Sequence, residues 1–167
     1  LSAAGTLLHY IAQGKSVGIV DLTEGELGTR GSVESRYDEA AEAAKIIGIS
    51  TRTNLRLPDG FFEHNQVNLL KIIEQIRLHQ PEIVLANALS DRHPDHGRGG
   101  KLVAEACFLA GLRKIHTAHN GVAQEPHRPR LVLHYIQDFQ LEPSVVFDVT
   151  PYLEQKLNCI KAYKTCK

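Results

Sequence analysis

Two histidines, two aspartates and two arginines crowd into SDRHPDHGRGG, residues 90–100. His93 and His96 stand three apart, with the stiff Pro94 and the acidic Asp95 between them. If that turn is helical, the i, i+3 spacing brings both imidazoles to one face. Imidazole suits zinc, and a catalytic zinc takes about three protein ligands while leaving one position for water. Asp95 can serve such a site as a ligand, or by holding the ring N–H of a neighbouring histidine. Gly97, Gly99 and Gly100 allow close backbone approach and lead into a helix. A solvated polar turn fits the same spacing, and one loop supplies only part of a ligand set. On spacing alone, both readings stand.

Side chains of this kind need a scaffold, and the flanking sequence alternates helical and strand patterns. GTLLHYIAQG sets Leu7, Leu8 and Ile11 on one helical face and ends at Gly14 as a C-cap. KSVGIVDLT, dense in Val and Ile, predicts a buried strand. SVESRYDEAAEAAKIIG predicts a helix N-capped by Ser32, with acidic residues in its early turns. TRTNLRL reads as a strand, and NQVNLLKIIEQIRLHQ as a helix halted by Pro81. EIVLANAL is the cleanest buried strand, and GGKLVAEACFLAGL predicts the helix after it. RLVLHYI and SVVFDVT read as two later strands. PYLEQKLNCIKAYK closes the chain as a helix with Pro151 in its first turn.

Strands alternating with crossover helices predict an α/β fold: a three-layer αβα, Rossmann-like arrangement around a mainly parallel sheet. Residues 1–167 form one domain on this expectation. The absence of methionine, the start at Leu1 and the end within IKAYKTCK predict that both ends are cut. In such sheets ligands bind at the carboxyl ends of strands. That rule puts TEGELGTRG, after Leu22, and SDRHPDHGRGG, after Leu89, in one crevice.

Formal net charge is zero, which offers no electrostatic case for a nucleic-acid partner or an anionic membrane surface. No apolar run approaches the roughly 20 residues that span a bilayer. Cys107, Cys159 and Cys166 are odd in number and form no CxxC pair, which predicts reduced thiols in a cytoplasmic protein. The loop TEGELGTRG lacks a dinucleotide fingerprint, and a structural turn is as good an account of it as ligand contact. Asp59 with Phe61 and Phe62 fits packing better than a pocket wall. His116, His119 and His127 are irregularly spaced and fit a solvated loop. His134 fits a hydrogen-bonded strand histidine; His9 and His64 fit a helix surface and a turn.

Three stretches taken together resemble the LmbE-like (PIG-L) family of zinc-dependent N-acetylglucosamine deacetylases. They are LSAAGTLLHYIAQGKSVGIVDLTEGELGTRG, DGFF, and RHPDHGRGG following PEIVLANALSD. The resemblance runs from Leu1 to about Tyr163. It is especially close to the bacillithiol branch, whose members act on N-acetylglucosaminyl-L-malate. It implies a Zn2+ cofactor with His96 as a ligand, His93 as the protonated imidazole that stabilises the oxyanion, and Asp95 orienting His93. It also implies that Arg36 binds the sugar, that the partner is a small N-acetylglucosaminyl conjugate, and that the protein is a homo-oligomer. The family's Ala-His-Pro-Asp-Asp-type signature, which carries two further ligands and the general base, has no counterpart in these 167 residues. A non-catalytic α/β module that binds a sugar or a protein is therefore the alternative. The residues encoded before Leu1 discriminate between the two.

Overall fold

The computed structural model describes residues 2–166, leaving aside the side chain of Cys166. In chain order the elements are α1 (Ala4–Ala12), β1 (Gly18–Thr23), α2 (Val33–Ile47), β2 (Thr51–Leu57), α3 (Gln66–His79) and β3 (Ile83–Asn87). They continue with α4 (Pro94–Leu109), β4 (Ala118–His119), β5 (Val122–Ala123), β6 (Leu131–Tyr135) and α5 (Leu153–Ala162). Their contacts cluster into two compact units, Leu1–Asp59 with Glu142–Lys167, and Gly60–Leu141. The fold class is α/β, with parallel strand pairs joined through helices as the alternating pattern predicts.

In the first unit β1 and β2 run parallel, Gly18 opposite Thr51 and Asp21 opposite Asn54, with a register break before Thr23. Asp21 and Arg52 join the two strands through a two-pronged ion pair of 2.6 and 3.0 Å. A third donor of the same guanidinium reaches the Ala40 carbonyl of α2 at 2.9 Å. Helix α2 starts where its sequence says it should. Ser32 accepts from the Ser35 N–H, and the Ser35 hydroxyl accepts from the Ser32 N–H, so two otherwise orphaned donors are satisfied. Gly48 ends it in the left-handed region. Ala4 and Leu8 of α1, Ile47 of α2 and Cys159 of α5 form a buried cluster, with Ile11, Ile46 and Tyr152 packed around it.

One expected strand is absent. Residues 144–150, SVVFDVT, form no strand among the described residues; they are extended and irregular before a 3-10 turn, Thr150–Tyr152. Val145 and Val146 are exposed, whereas Phe147 packs against the rings of His9 and Tyr10 on α1. The Asp148 side chain accepts from the Thr150 N–H at 2.9 Å, a local turn that competes with ladder pairing. Apolar and β-branched composition predicted a strand, but among the described residues this segment pairs with no other strand.

In the second unit β3 pairs parallel with β6 from Ile83 opposite Leu131 to Asn87 opposite Tyr135. Helix α3 buries Leu69, Ile72, Ile73 and Ile76 along one stripe and packs against α4, which also lies on β3. Buried Arg77 donates to the carbonyls of Ala110, Leu112 and Ile115 and to the Thr117 hydroxyl, at 2.8 to 3.0 Å. These acceptors lie just past the end of α4, where a cation is favoured by the helix dipole. The expected histidine loop contains a small hairpin instead. β4 and β5 pair antiparallel across Asn120-Gly121, both at positive φ, the turn chemistry that two-residue hairpins favour. His119 bonds Glu74 at 2.7 Å and His127 bonds the Pro81 carbonyl at 2.8 Å, so neither is merely solvated. No helix among the described residues is long and apolar enough to cross a membrane.

Candidate active site

Helix α4 begins at Pro94, five residues ahead of the start expected from GGKLVAEACFLAGL. The His93–His96 segment therefore lies in a helical first turn directly after β3, with His93 as N-cap and Pro94 at the first helical position, where its missing N–H costs nothing. The glycines explain how the helix approaches. A Cβ on Gly100 would sit 2.5 Å from the Asn87 carbonyl oxygen and 2.9 Å from that of Ala88. Only a bare backbone lets α4 pack this closely on the end of the strand.

The helical turn brings the two imidazoles together, stacked with centroids 4.9 Å apart and ring planes 29° apart. Behind His96 stands Asp91, whose carboxylate is almost completely buried. Asp91 Oδ2 lies 2.9 Å from His96 Nδ1. Burial by itself would raise the Asp91 carboxyl. The hydrogen bond from the His96 ring, those from the Arg92 and Phe139 N–H groups and the His96 charge outweigh it, holding Asp91 below the ordinary carboxylate value. An ionised carboxylate only accepts, so His96 Nδ1 is the donor to it and Nε2 is the ring nitrogen turned away from Asp91. That is the orientation a ligating histidine needs, one ring nitrogen anchored by a carboxylate and the other turned away from it.

His93 is held differently from the expectation. The Asp95 carboxylate does not hold its ring. Asp95 instead accepts from Arg98 Nη1 at 2.6 Å and from the Gly60 N–H at 2.7 Å. Arg98 also donates to the Gly60 carbonyl at 3.2 Å and lies over the Phe62 ring. Asp95 and Arg98 thus clamp both backbone groups of Gly60, and buried Phe62 packs beneath. It is the Asp95 backbone N–H that meets His93, donating to Nδ1 at 3.2 Å. An imidazolium has no lone pair to accept that bond. While it caps α4, His93 is the neutral ring with its proton on Nε2, and the expected protonated form would have to give up the cap.

Arg36 belongs to the first unit, on α2. It donates to the Arg30 carbonyl at 3.3 Å, and its side chain lies over the glycines of TEGELGTRG, so that a Cβ on Gly28 would overlap the guanidinium. Glu39 on the same helix accepts from the Thr165 N–H and hydroxyl. Asp59 of DGFF pins the same loop, accepting from Thr23 and from the Leu27 N–H at 3.2 Å each. Phe61 is exposed and Phe62 is core.

Among the described residues no group of three His, Cys, Asp or Glu side chains converges on one point. His96 alone has a ligand's posture, which is short of the about three protein ligands a catalytic zinc takes. These residues do not by themselves fit a complete zinc site. Asp91 and Asn87 were not singled out from sequence. The available signal was weak: polar residues at and just beyond the carboxyl end of a buried strand.

Residues 1–107 match the family model PIG-L, GlcNAc-PI de-N-acetylase. Conserved protein TT1542 from Thermus thermophilus is 36% identical, with a TM-score of 0.89 over 98% of this chain and 72% of that one. The N,N'-diacetylchitobiose deacetylase from Pyrococcus horikoshii is 22% identical, with a TM-score of 0.86 over 98% of this chain and 64% of that one. GalB, the 4-carboxy-2-hydroxymuconate hydratase from Pseudomonas putida KT2440, is 22% identical, with a TM-score of 0.81 over 96% and 71%. At 22% identity these last two show a shared fold and no more, and the chemistries in their names differ.

Proposed function

From the premise that the chain belongs to the PIG-L family of GlcNAc-PI de-N-acetylases, we propose that it carries part of the catalytic centre of an N-deacetylase. Its substrate class is an N-acetylglucosaminyl conjugate, with N-acetylglucosaminyl-L-malate as the specific expectation from the bacillithiol-branch resemblance. The observation that supports this reading best is the stacked pair His93 and His96, each anchored through its Nδ1.

In the reaction, water adds to the acetamide carbonyl carbon, the C–N bond breaks, and acetate and a free amine leave. An amine anion is a poor leaving group, so a proton must reach nitrogen. The His93 Nε2–H is suited to donate to the developing oxyanion; to act as proton source the ring must first take a second proton at Nδ1, giving up its bond from the Asp95 N–H. Asp95 and Arg98 fix the first turn of α4 on Gly60 and so fix the position of His93. Arg36 is proposed to meet sugar oxygens, on the support of its place beside the glycine loop after β1.

Zn2+ is what the resemblance implies, and His96 is the residue here that would hold it. The reading includes a homo-oligomer working in the cytoplasm, where the buried thiols Cys107 and Cys159 would stay reduced. Acetate release from N-acetylglucosaminyl-L-malate by the full-length protein, with and without chelator, is the test. Release that chelation abolishes is expected. A metal-loaded protein that binds the sugar yet frees no acetate would favour the non-catalytic module. His96→Ala should lower the bound zinc measured by elemental analysis, and full occupancy in that variant would remove His96 from the ligand set.

A further inference from the structure

Gln137, two residues beyond β6, faces the one ring nitrogen of His96 that Asp91 leaves open. Its Nε2 lies 3.4 Å from His96 Nε2, and its Oε1 accepts from Asn87 Nδ2 at 2.8 Å. Asn87 is the last residue of β3, and its own carbonyl is bonded by His134 Nδ1 at 2.7 Å. The donors and acceptors along this row run one way. Asp91 accepts from His96 Nδ1, and the Gln137 amide nitrogen faces His96 Nε2. From the other end, the Asn87 amide nitrogen requires the Gln137 oxygen.

The four contacts are unequal. Those at Asp91, Asn87 and His134 are 2.7 to 2.9 Å, whereas the amide-to-imidazole contact is 3.4 Å. At that length a hydrogen bond is weak and gives way to a better acceptor. His96 is about one-third exposed, so the space in front of Nε2 is reachable. With Oε1 still held by Asn87, the released N–H stays aimed at that space.

We propose that Gln137 is a substrate-binding residue whose amide N–H, aimed by Asn87, donates to an acceptor oxygen of the N-acetylated sugar bound in front of His96. This deepens the deacetylase reading and rests on it. Asn87 is a positioning residue, acting only through Gln137.

The test uses the full-length protein, N-acetylglucosamine as binding probe, and Gln137→Ala and the near-isosteric Gln137→Met beside Asn87→Ala. Probe affinity is measured by NMR titration, KM and kcat by acetate release, and the His96 Nδ1–H resonance reports whether the ring still bonds Asp91. Loss of one donor should weaken probe binding and raise KM by about tenfold in both Gln137 variants, with kcat changed by less than about twofold. Asn87→Ala should move KM the same way by a smaller factor, and the His96 resonance should persist throughout. Unchanged probe affinity and KM in Gln137→Met overturns the proposal while leaving the deacetylase reading standing. So does an affinity loss that always accompanies loss of the His96 resonance, because Gln137 would then only hold the ring. A wild-type protein that neither binds the probe nor releases acetate overturns both.

Discussion

His93 has two uses for one ring. Its Nδ1 caps helix α4 through the Asp95 N–H, and its Nε2–H is the group the proposed hydrolysis needs. The two can be separated. Asparagine is a good N-cap but has no imidazole. His93→Asn should therefore keep the urea midpoint of the wild type while acetate release falls by about 100- to 1000-fold, the usual cost of one lost oxyanion donor. His93→Ala should lose the same activity and, in addition, about 1 kcal/mol of stability. Near-normal turnover in His93→Asn would end the catalytic assignment. At this scale the sequence marked the right residues in SDRHPDHGRGG. It could not say that the Asp95 carboxylate would turn to Arg98 and Gly60, because Gly60 lies 35 positions away in the chain.

Helix α4 shows how a local rule and a tertiary contact combine. Pro94 at the first helical position is a start signal that histidine, a poor predictor of N-caps, obscured. Gly100 meets the carbonyls of Asn87 and Ala88, rigid backbone that cannot swing aside. Gly100→Ala should cost about 1–3 kcal/mol in denaturant unfolding, with the sign set by overpacking and against the usual preference of helices for alanine. A stabilised Gly100→Ala protein would show that α4 is not seated on the strand end. The Ser32 N-cap of α2 and the stop at Pro81 were legible because caps and breakers act within a few residues. SVVFDVT departs from its expected strand for the converse reason. A strand exists only where another edge accepts it, and residues 144–150 have Asp148 turning on Thr150 instead.

For the whole molecule, Glu39 couples stability to pH. Burial alone would raise its carboxyl; bonds from Thr165 and the Lys164 N–H, with the nearby Arg36 charge, outweigh this and hold it below its ordinary 4.5. A folded value below the unfolded one means stability fully present above the unfolded value and lost as pH falls through the folded one. Glu39→Gln should therefore unfold more easily than wild type at pH 7, yet lose less on acidification from about pH 5 to pH 3. Parallel curves would show that the Thr165 contact is not made. Cys107 is pushed up to about 11 by burial, and burial raises Cys159 as well. Alkylation mapped by mass spectrometry at pH 8 should leave both unlabelled in the native protein and label both in denaturant. The thiolate is the reactive form, and neither group reaches it while folded. Labelling of the native protein at either position would contradict the packed core around it.

Much was written in the chain alone. The alternation of helix and strand and the titratable segment after a buried strand follow from periodicity and residue chemistry, which are local. Tertiary structure decided the directions of the polar groups: Asp91 behind His96, Asn87 and Gln137 in front of it, Arg77 on the far end of α4. A hydrogen bond joins atoms that folding makes neighbours, and nothing in the spacing of residues along a chain records which neighbours those will be.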